Sequence, residues 1–185
     1  MAPGPESGLS NQSGGLPDLV AVGARVVFSG RHNGESAPFV SDGTVAGTVV
    51  LVGAPDPAQA RAPRDFVAFG NGMLFFADSS SDGREWYRSD FTRAGTLRVS
   101  QIGAGAADGV FQMLGVAGSV ALFTARSNGA QGIELFGYDG SSVALVRDIH
   151  PAGSAFSAFA AHSVSVGAEV YFAADDGSSG EELYR

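Results

Sequence analysis

An apolar triplet ending in phenylalanine returns four times in this chain, as Val26-Val27-Phe28, Leu74-Phe75-Phe76, Ala121-Leu122-Phe123 and Val170-Tyr171-Phe172. The last Phe recurs after 48, 47 and 49 residues. A fixed period of this size constrains the fold more than composition does, because each unit is then one small module that buries its apolar surface by stacking on its neighbours. Five positions before each Phe stands a turn former, Gly23, Asn71, Gly118 or Gly167, and nine before it stand Leu19, Val67, Leu114 and, in the fourth copy, Ser163. Downstream, a polar stretch with glycine leads into Phe39-Val40-Ser41-Asp42-Gly43-Thr44, Trp86-Tyr87-Arg88-Ser89-Asp90-Phe91-Thr92 and Leu135-Phe136-Gly137-Tyr138-Asp139-Gly140. A last apolar run closes each unit, at Val49–Val52, Leu97–Ile102 and Val143–Ile149.

Each unit thus holds four short β-branched or aromatic runs separated by Gly, Asn, Asp and Ser, the composition of strands joined by hairpins. The pairs Asn33-Gly34, Asp42-Gly43, Asp82-Gly83, Asn128-Gly129, Asp139-Gly140 and Asp176-Gly177 supply turns with positive φ. The one long Ala-rich stretch, Ala152–Ala161, is interrupted by Gly153, Ser154 and Ser157, so no helix is expected. Four antiparallel strands in about 48 residues make one blade of a β-propeller. A β-solenoid is the competing architecture, but its coils are shorter and would repeat nearer ~20–30 residues. The sequence therefore predicts an all-β chain of propeller-like blades, three full and a fourth cut short, over residues 16–62, 63–109, 110–156 and 157–185, behind a flexible tail at 1–15.

The stretch Gly83-Arg84-Glu85-Trp86-Tyr87-Arg88-Ser89-Asp90-Phe91-Thr92-Arg93-Ala94-Gly95-Thr96 resembles the bacterial repeat G-x-E-L-W-x-T-D-G-T-x-x-G-T, the ELWxxDGT repeat. In the first copy Asp42-Gly43-Thr44 and Ala46-Gly47-Thr48 match, while Ala37 and Pro38 replace Glu-Leu. The third copy keeps Glu134-Leu135-Phe136 and Asp139-Gly140-Ser141 but lacks the closing Gly-Thr, and the fourth carries Glu182-Leu183-Tyr184-Arg185. The resemblance covers about residues 16–185 and implies a repeat array in large bacterial surface or secreted proteins, hence an extracellular or cell-surface location, with no activity attached to the motif.

Residues that recur at the repeat period are most simply explained by the blade, since catalysis needs one constellation and not a copy in every unit. On this ground Glu85, Glu134 and Glu182, at the entry to the third strand, and Asp42, Asp90 and Asp139, in the turn after it, are structural, together with Gly43. An Asp side chain there accepts hydrogen bonds from backbone N–H groups two residues on. Gly47-Thr48 and Gly95-Thr96 are expected to end the same hairpin. Among features that do not repeat, Ile102-Gly103-Ala104-Gly105 has Asp108 where a dinucleotide loop needs Gly or Ala, so it is an inter-blade loop. No G-x-S-x-G elbow occurs, and His32, His150 and His162 lack ligand spacing. Asp175-Asp176-Gly177-Ser178-Ser179-Gly180-Glu181-Glu182 is rich in oxygen but follows no calcium-loop order and is expected to be a hairpin. Trp86, the single Trp, stands in the aromatic pair and is expected to pack in the blade. With Arg84 and Arg88 at period-two spacing, it is also the best candidate for a ligand-binding surface.

Composition narrows the partners. A formal charge of −8, with 11 basic residues that are all Arg, argues against a surface that tracks nucleic-acid phosphates. The absence of Cys removes thiol chemistry and Cys-held metals, and neither a metal nor a cofactor is expected; it does not fix the compartment. No run approaches the ~18–20 apolar residues of a membrane span. Met1–Gly15 has neither a basic start nor an apolar core, so an export signal would belong to a longer parent chain or have been removed. Leu16–Arg185 falls short of four complete units, which leaves a small ring with one three-stranded blade or, as the favoured expectation, an open arc. Its partners would be further blades of a longer chain, a second copy, a glycan or a protein. The leading functional expectation is a non-catalytic scaffold or ligand-binding module. The alternatives are a lectin-like sugar binder and a glycan-acting enzyme with paired carboxylates, for which Asp78 and Asp108 are the non-repeating acids.

Overall fold

The computed structural model describes residues 19–52, 60–79, 83–102, 109–126, 132–157 and 162–185. The expected tail, Ala54-Pro55-Asp56-Pro57, Asp82, Gly103–Asp108, Asn128-Gly129 and residues 158–161 lie outside them. Among the described residues, fifteen strands form four separate antiparallel sheets in chain order. The first is β1 (Val20–Val22), β2 (Arg25–His32), β3 (Glu35–Ser41) and β4 (Val49–Val50). The second is β5 (Arg61–Phe69), β6 (Gly72–Ser79), β7 (Gly83–Ser89) and β8 (Leu97–Arg98). The third is β9 (Val110–Ala117), β10 (Val120–Arg126), β11 (Ile133–Tyr138) and β12 (Val143–Arg147). The fourth has three strands, β13 (Ser163–Val166), β14 (Glu169–Asp175) and β15 (Glu181–Tyr184). Each sheet is an up-and-down meander with strands neighbouring in sequence order, the construction of a propeller blade. The expected fold class is therefore what the chain adopts, three four-stranded blades and a three-stranded fourth.

Turn chemistry sets the register. The first hairpin of each sheet turns on Gly23, Gly70, Gly118 or Gly167, at φ between 56° and 64°. Asn33 and Gly34, both at positive φ, make the next hairpin of the first sheet. The second unit corrects the sequence alignment by one residue. Its positive-φ turn is Gly70, not Asn71, and the residue equivalent to Phe28, Phe123 and Phe172 is Phe75, not Phe76. Two adjacent Phe residues concealed this slip. Strand pairing settles it, since Ala77 faces Glu85 as Ala125 faces Glu134 and Ala174 faces Glu182. With this register Phe66, not Val67, stands nine residues before the anchor, and it is buried like Leu114.

Alternate residues of each strand point to opposite neighbours, so one sheet contributes to two cores. Val22, Val27, Val40 and Leu51 of the first unit pack against Phe66, Met73, Phe75 and Tyr87 of the second. The opposite face of the second sheet sends Leu74, Phe76 and Trp86 onto Val110, Ala121, Phe123 and Phe136 of the third. The third and fourth meet through Phe111, Leu114, Leu135, Ile149, Phe156, Val170 and Phe172. Among the described residues no apolar cluster joins the first sheet to the fourth. The free face of the first sheet gathers Ala37, Phe39 and Val50 with Phe28 into a small cluster of its own.

Candidate functional site

The polar residues of the repeat motif divide into two devices and a cleft. The first device is the turn after the third strand. Asp90 Oδ1 accepts the backbone N–H of Thr92 at 2.9 Å and the Thr92 hydroxyl at 2.6 Å. Thr92 Oγ1 in turn accepts Gly95 N at 2.9 Å, and the Thr96 hydroxyl donates to Thr92 O at 2.6 Å. Asp42, Thr44, Gly47 and Thr48 repeat this set in the first unit. Glycine is required at 47 and 95 by space alone, since a Cβ would fall 2.0 Å from the Asp carboxylate oxygen. Gly43 supplies the turn itself, at φ 91°. In the third unit Asp139 accepts Ser141 N, Ser141 Oγ and Ser142 N, each at 2.8 Å. These exposed carboxylates are held below the ordinary range, Asp42 and Asp90 chiefly by the Thr hydroxyls and Asp139, at about 2, chiefly by the Ser142 and Ser141 amides.

The second device is a buried carboxylate. Glu85 and Glu134 are both 0% exposed. Glu134 accepts Ile149 N at 2.7 Å, His150 N at 3.4 Å and Ala155 N at 3.2 Å, all on the segment that leads to the fourth sheet. Glu85 accepts Ile102 N at 3.0 Å and the Ser100 hydroxyl on the segment that leads to the third. Burial raises the Glu134 pKa against the lowering effect of its three amide donors. The same connectors are pinned a second time by backbone. Ala155 N donates to Ile133 O at 3.0 Å while Ala155 O accepts Asp175 N at 2.9 Å, so the backbone of one residue ties two sheets together. Gly109 does the same between Arg84 O and Arg126 N, at 3.2 and 2.8 Å. Periodicity marked these Glu residues as structural, but their partners lie 15 to 21 residues downstream and no local pattern identifies them.

The candidate ligand surface divides. Trp86 is 1% exposed and packs on Phe76 at 3.8 Å and Phe123 at 5.2 Å between ring centroids, so its indole offers no stacking face and serves the blade core. Arg84, 8% exposed, is also buried and lies beside Asp78 at 3.5 Å, where Arg64 approaches the other oxygen at 3.4 Å. Three residues on one strand face do not share one fate, because Arg84 and Trp86 sit beneath the next sheet while Arg88 reaches its edge. Exposed Arg88 lines a shallow cleft of about 220 Å³ between the second and third sheets. Phe69, Asp90 and Tyr138 line it with Arg88, and the Phe69 and Tyr138 rings are 5.6 Å apart. Tyr138 donates its hydroxyl hydrogen to Gly140 O at 2.9 Å, which orients the ring. This cleft joins a cation, a carboxylate and two aromatic rings. Phe69 and Tyr138 come from different units, so no linear motif announces it.

The remaining candidates resolve locally. Asp78 belongs to the Arg64 and Arg84 network, while its proposed partner Asp108 lies outside the described residues. In the oxygen-rich hairpin, Asp175 accepts Gly177 N at 2.7 Å, and Asp176 accepts Ser178 N at 2.8 Å and Ser179 N at 3.0 Å. Among the described residues no three His, Asp or Glu side chains gather as a metal site, and no helix is long and apolar enough to cross a membrane. Glu182, the fourth copy of the buried carboxylate, is exposed.

No family model matches this sequence, and no curated protein matches it. Among solved structures, TolB from Acinetobacter baumannii is similar over 87% of this chain and 42% of its own, with 16% identity and a TM-score of 0.44. An α-L-arabinofuranosidase, CtGH43, from Clostridium thermocellum is similar over 85% of this chain and 59% of its own, with 16% identity and a TM-score of 0.39. The chain spans less than two thirds of the length of either protein.

Proposed function

We propose that this chain is a non-catalytic propeller-type module of an exported or cell-surface bacterial protein, acting as a scaffold and ligand-binding surface. The observation that carries this reading is the fate of the described motif acids. Asp42, Asp90 and Asp139 are bound by the amides of their own turns, and Glu85 and Glu134 are buried on the connectors between sheets. A carboxylate already committed to amide and hydroxyl donors is a poor proton shuttle, whereas glycosidic hydrolysis needs two free ones facing a shared cavity. The exported location rests on the resemblance to the ELWxxDGT repeat. Within this reading the cleft at Arg88, Asp90, Phe69 and Tyr138 is where a small polar ligand such as a sugar would lie, with the half-buried Phe69 ring as its apolar wall and Arg88 and Asp90 as hydrogen-bonding groups. A glycan array followed by calorimetric titration tests it. Binding that is lost in Arg88→Ala with no sugar hydrolysed is the expected result, and hydrolysis of any bound glycan would replace this reading with an enzymatic one.

A further inference from the structure

The fourth sheet pairs an arginine with a carboxylate at a place where the second sheet leaves the arginine alone. Arg185 follows Tyr184, which faces Phe172, and Arg88 follows Tyr87, which faces Phe75. Arg185 holds Glu169 at 3.3 Å. Glu169 stands three residues before Phe172, and the same place before Phe75 is Gly72, where a Cβ would fall 2.1 Å from Ser89 O. The second sheet therefore has no room there for a carboxylate of its own. The first and third units carry no cation at all at this position, which holds Val40 and Gly137. Other arginines are engaged, in ion pairs as Arg61 with Glu35, on backbone carbonyls as Arg93 with Val50, or over rings as Arg25 with Phe91. Arg88 is exposed and alone has no hydrogen bond, ion pair or ring contact among the described residues. Arg88 and Gly72 both line the cleft between the second and third sheets, and two further departures from the repeat meet them there. Phe69 stands where the other units carry Val22, Ala117 and Val166, and Tyr138 where the first two carry Ser41 and Ser89. The blade needs an aromatic ring at neither place.

We infer that this cleft binds an acidic sugar, a uronic acid residue whose carboxylate takes on Arg88 the place that Glu169 takes on Arg185 and whose ring lies on Phe69. The inference rests on the reading of this chain as a binding module and names its ligand class. Asp90 Oδ1 already accepts the Thr92 amide and hydroxyl, and the Tyr138 hydroxyl donates to Gly140 O. What the cleft still offers is chiefly the Arg88 guanidinium, a planar fork of donors that matches a carboxylate through two parallel hydrogen bonds. Asp90, kept ionised beside Arg88, repels a second negative charge, which favours one carboxylate over a phosphate dianion. The half-buried Phe69 ring, held against Tyr138 at 5.6 Å, gives the C–H face of a pyranose an apolar wall that excludes water. Asn71, exposed at the rim, presents an amide to the sugar hydroxyls. A cleft of about 220 Å³ is smaller than the ~300–1,000 Å³ of pockets that enclose drug-sized ligands, so it holds one sugar ring of a chain that continues into solvent.

The test compares sugars that differ in one group. Methyl glycosides of glucuronic and galacturonic acid are titrated calorimetrically into the intact protein, each beside the neutral glucoside or galactoside that carries CH2OH in place of the carboxylate. At least one uronide should bind about tenfold more tightly than its neutral partner, the contribution of roughly one charge-assisted hydrogen bond. That preference should shrink as salt is raised from ~0.05 to ~0.5 M. Arg88→Gln should bring the two sugars to equal affinity, while Arg88→Lys, which keeps the charge but loses the fork, should retain part of the preference. Arg31→Gln removes an exposed charge from a hairpin of the first sheet and leaves the preference unchanged, and circular dichroism confirms that the variants fold. Equal affinity for acid and neutral sugar in the wild type, no binding of any of the four, or a preference that survives Arg88→Gln overturns the inference. Equal binding would leave the binding-module reading standing, whereas hydrolysis of a glycoside would sink that reading whichever sugar is preferred.

Discussion

Replacing the same motif glutamate in three units should give three different results. Glu134 is the most committed, with three backbone N–H donors between 2.7 and 3.4 Å and no exposed surface. A hydrogen bond to a charged group contributes about 1.5–3 kcal/mol, but summing three such bonds overcounts, because burying the carboxylate already opposes them and raises its pKa. In Glu134→Ala the donors are left in a buried cavity lined by Ile149 and Ala155, and about 3–5 kcal/mol of stability should be lost, a large share of what a domain of this size possesses. Glu85→Ala, which removes the acceptor of the Ile102 amide and the Ser100 hydroxyl, should lose roughly 2–3 kcal/mol. Glu182→Ala should lie within about 0.5 kcal/mol of wild type, as for an ordinary surface change. Equilibrium urea unfolding measures all three, with Trp86 fluorescence reporting the core between the second and third sheets and circular dichroism reporting all strands. Equal losses at the three positions, or a loss below about 1 kcal/mol for Glu134→Ala, would refute the view that this residue clamps the connectors.

Three further outcomes follow from the same geometry. Trp86→Ala should cost about 3–5 kcal/mol, and wild-type Trp86 emission should be barely quenched by acrylamide; strong quenching would contradict its burial. Gly95→Ala should destabilise by about 1–3 kcal/mol because its Cβ meets the Asp90 carboxylate, and adding Asp90→Ala should recover part of that loss, a coupling that a double-mutant cycle reads directly. Acid should act in opposite directions on the two devices. The turn aspartates Asp42, Asp90, Asp139 and Asp176 have lowered folded pKa values, so the unfolded chain protonates first, and the stability they provide above about pH 4 is lost as pH falls toward 2. Glu134, whose folded pKa is raised, protonates first in the folded chain and loses stability as pH rises from the usual glutamate range through its own value. Denaturation midpoints from pH 2 to 6 should show a steeper acid slope in Glu134→Gln than in wild type, and an unchanged slope would count against these assignments.

What the sequence makes legible is what repeats locally. The Asp-Gly turns and the strand spacing follow from short-range chemistry, in which a side chain meets an amide two or three residues away. Contacts across units were harder. The face of Trp86 is decided by Phe123 in another unit, and the aromatic pair alone does not tell whether a sheet will cover it. The slip between Phe75 and Phe76 has the same origin, since both are aromatic and only their opposite destinations, one toward Tyr87 and one toward Trp86, separate them. The clamp formed by Glu134 was recognised as structural by its period, but its partners became visible only once Ile149 and Ala155 were placed beside it.

The residues Gly109 and Ala155, each hydrogen-bonded to one sheet through its N–H and to the next through its carbonyl, decide how the array responds to mechanical load. A pull along the chain reaches the third and fourth units through connectors anchored by a carboxylate and by the backbone of Gly109 or Ala155, so tension must peel these anchors before it can unravel a strand. The first unit carries Ala37 where the second and third carry Glu85 and Glu134, and its connector has no such carboxylate at that position. Stretched in a force spectrometer, the array would yield at its first joint and hold longest where Glu134 grips three amides.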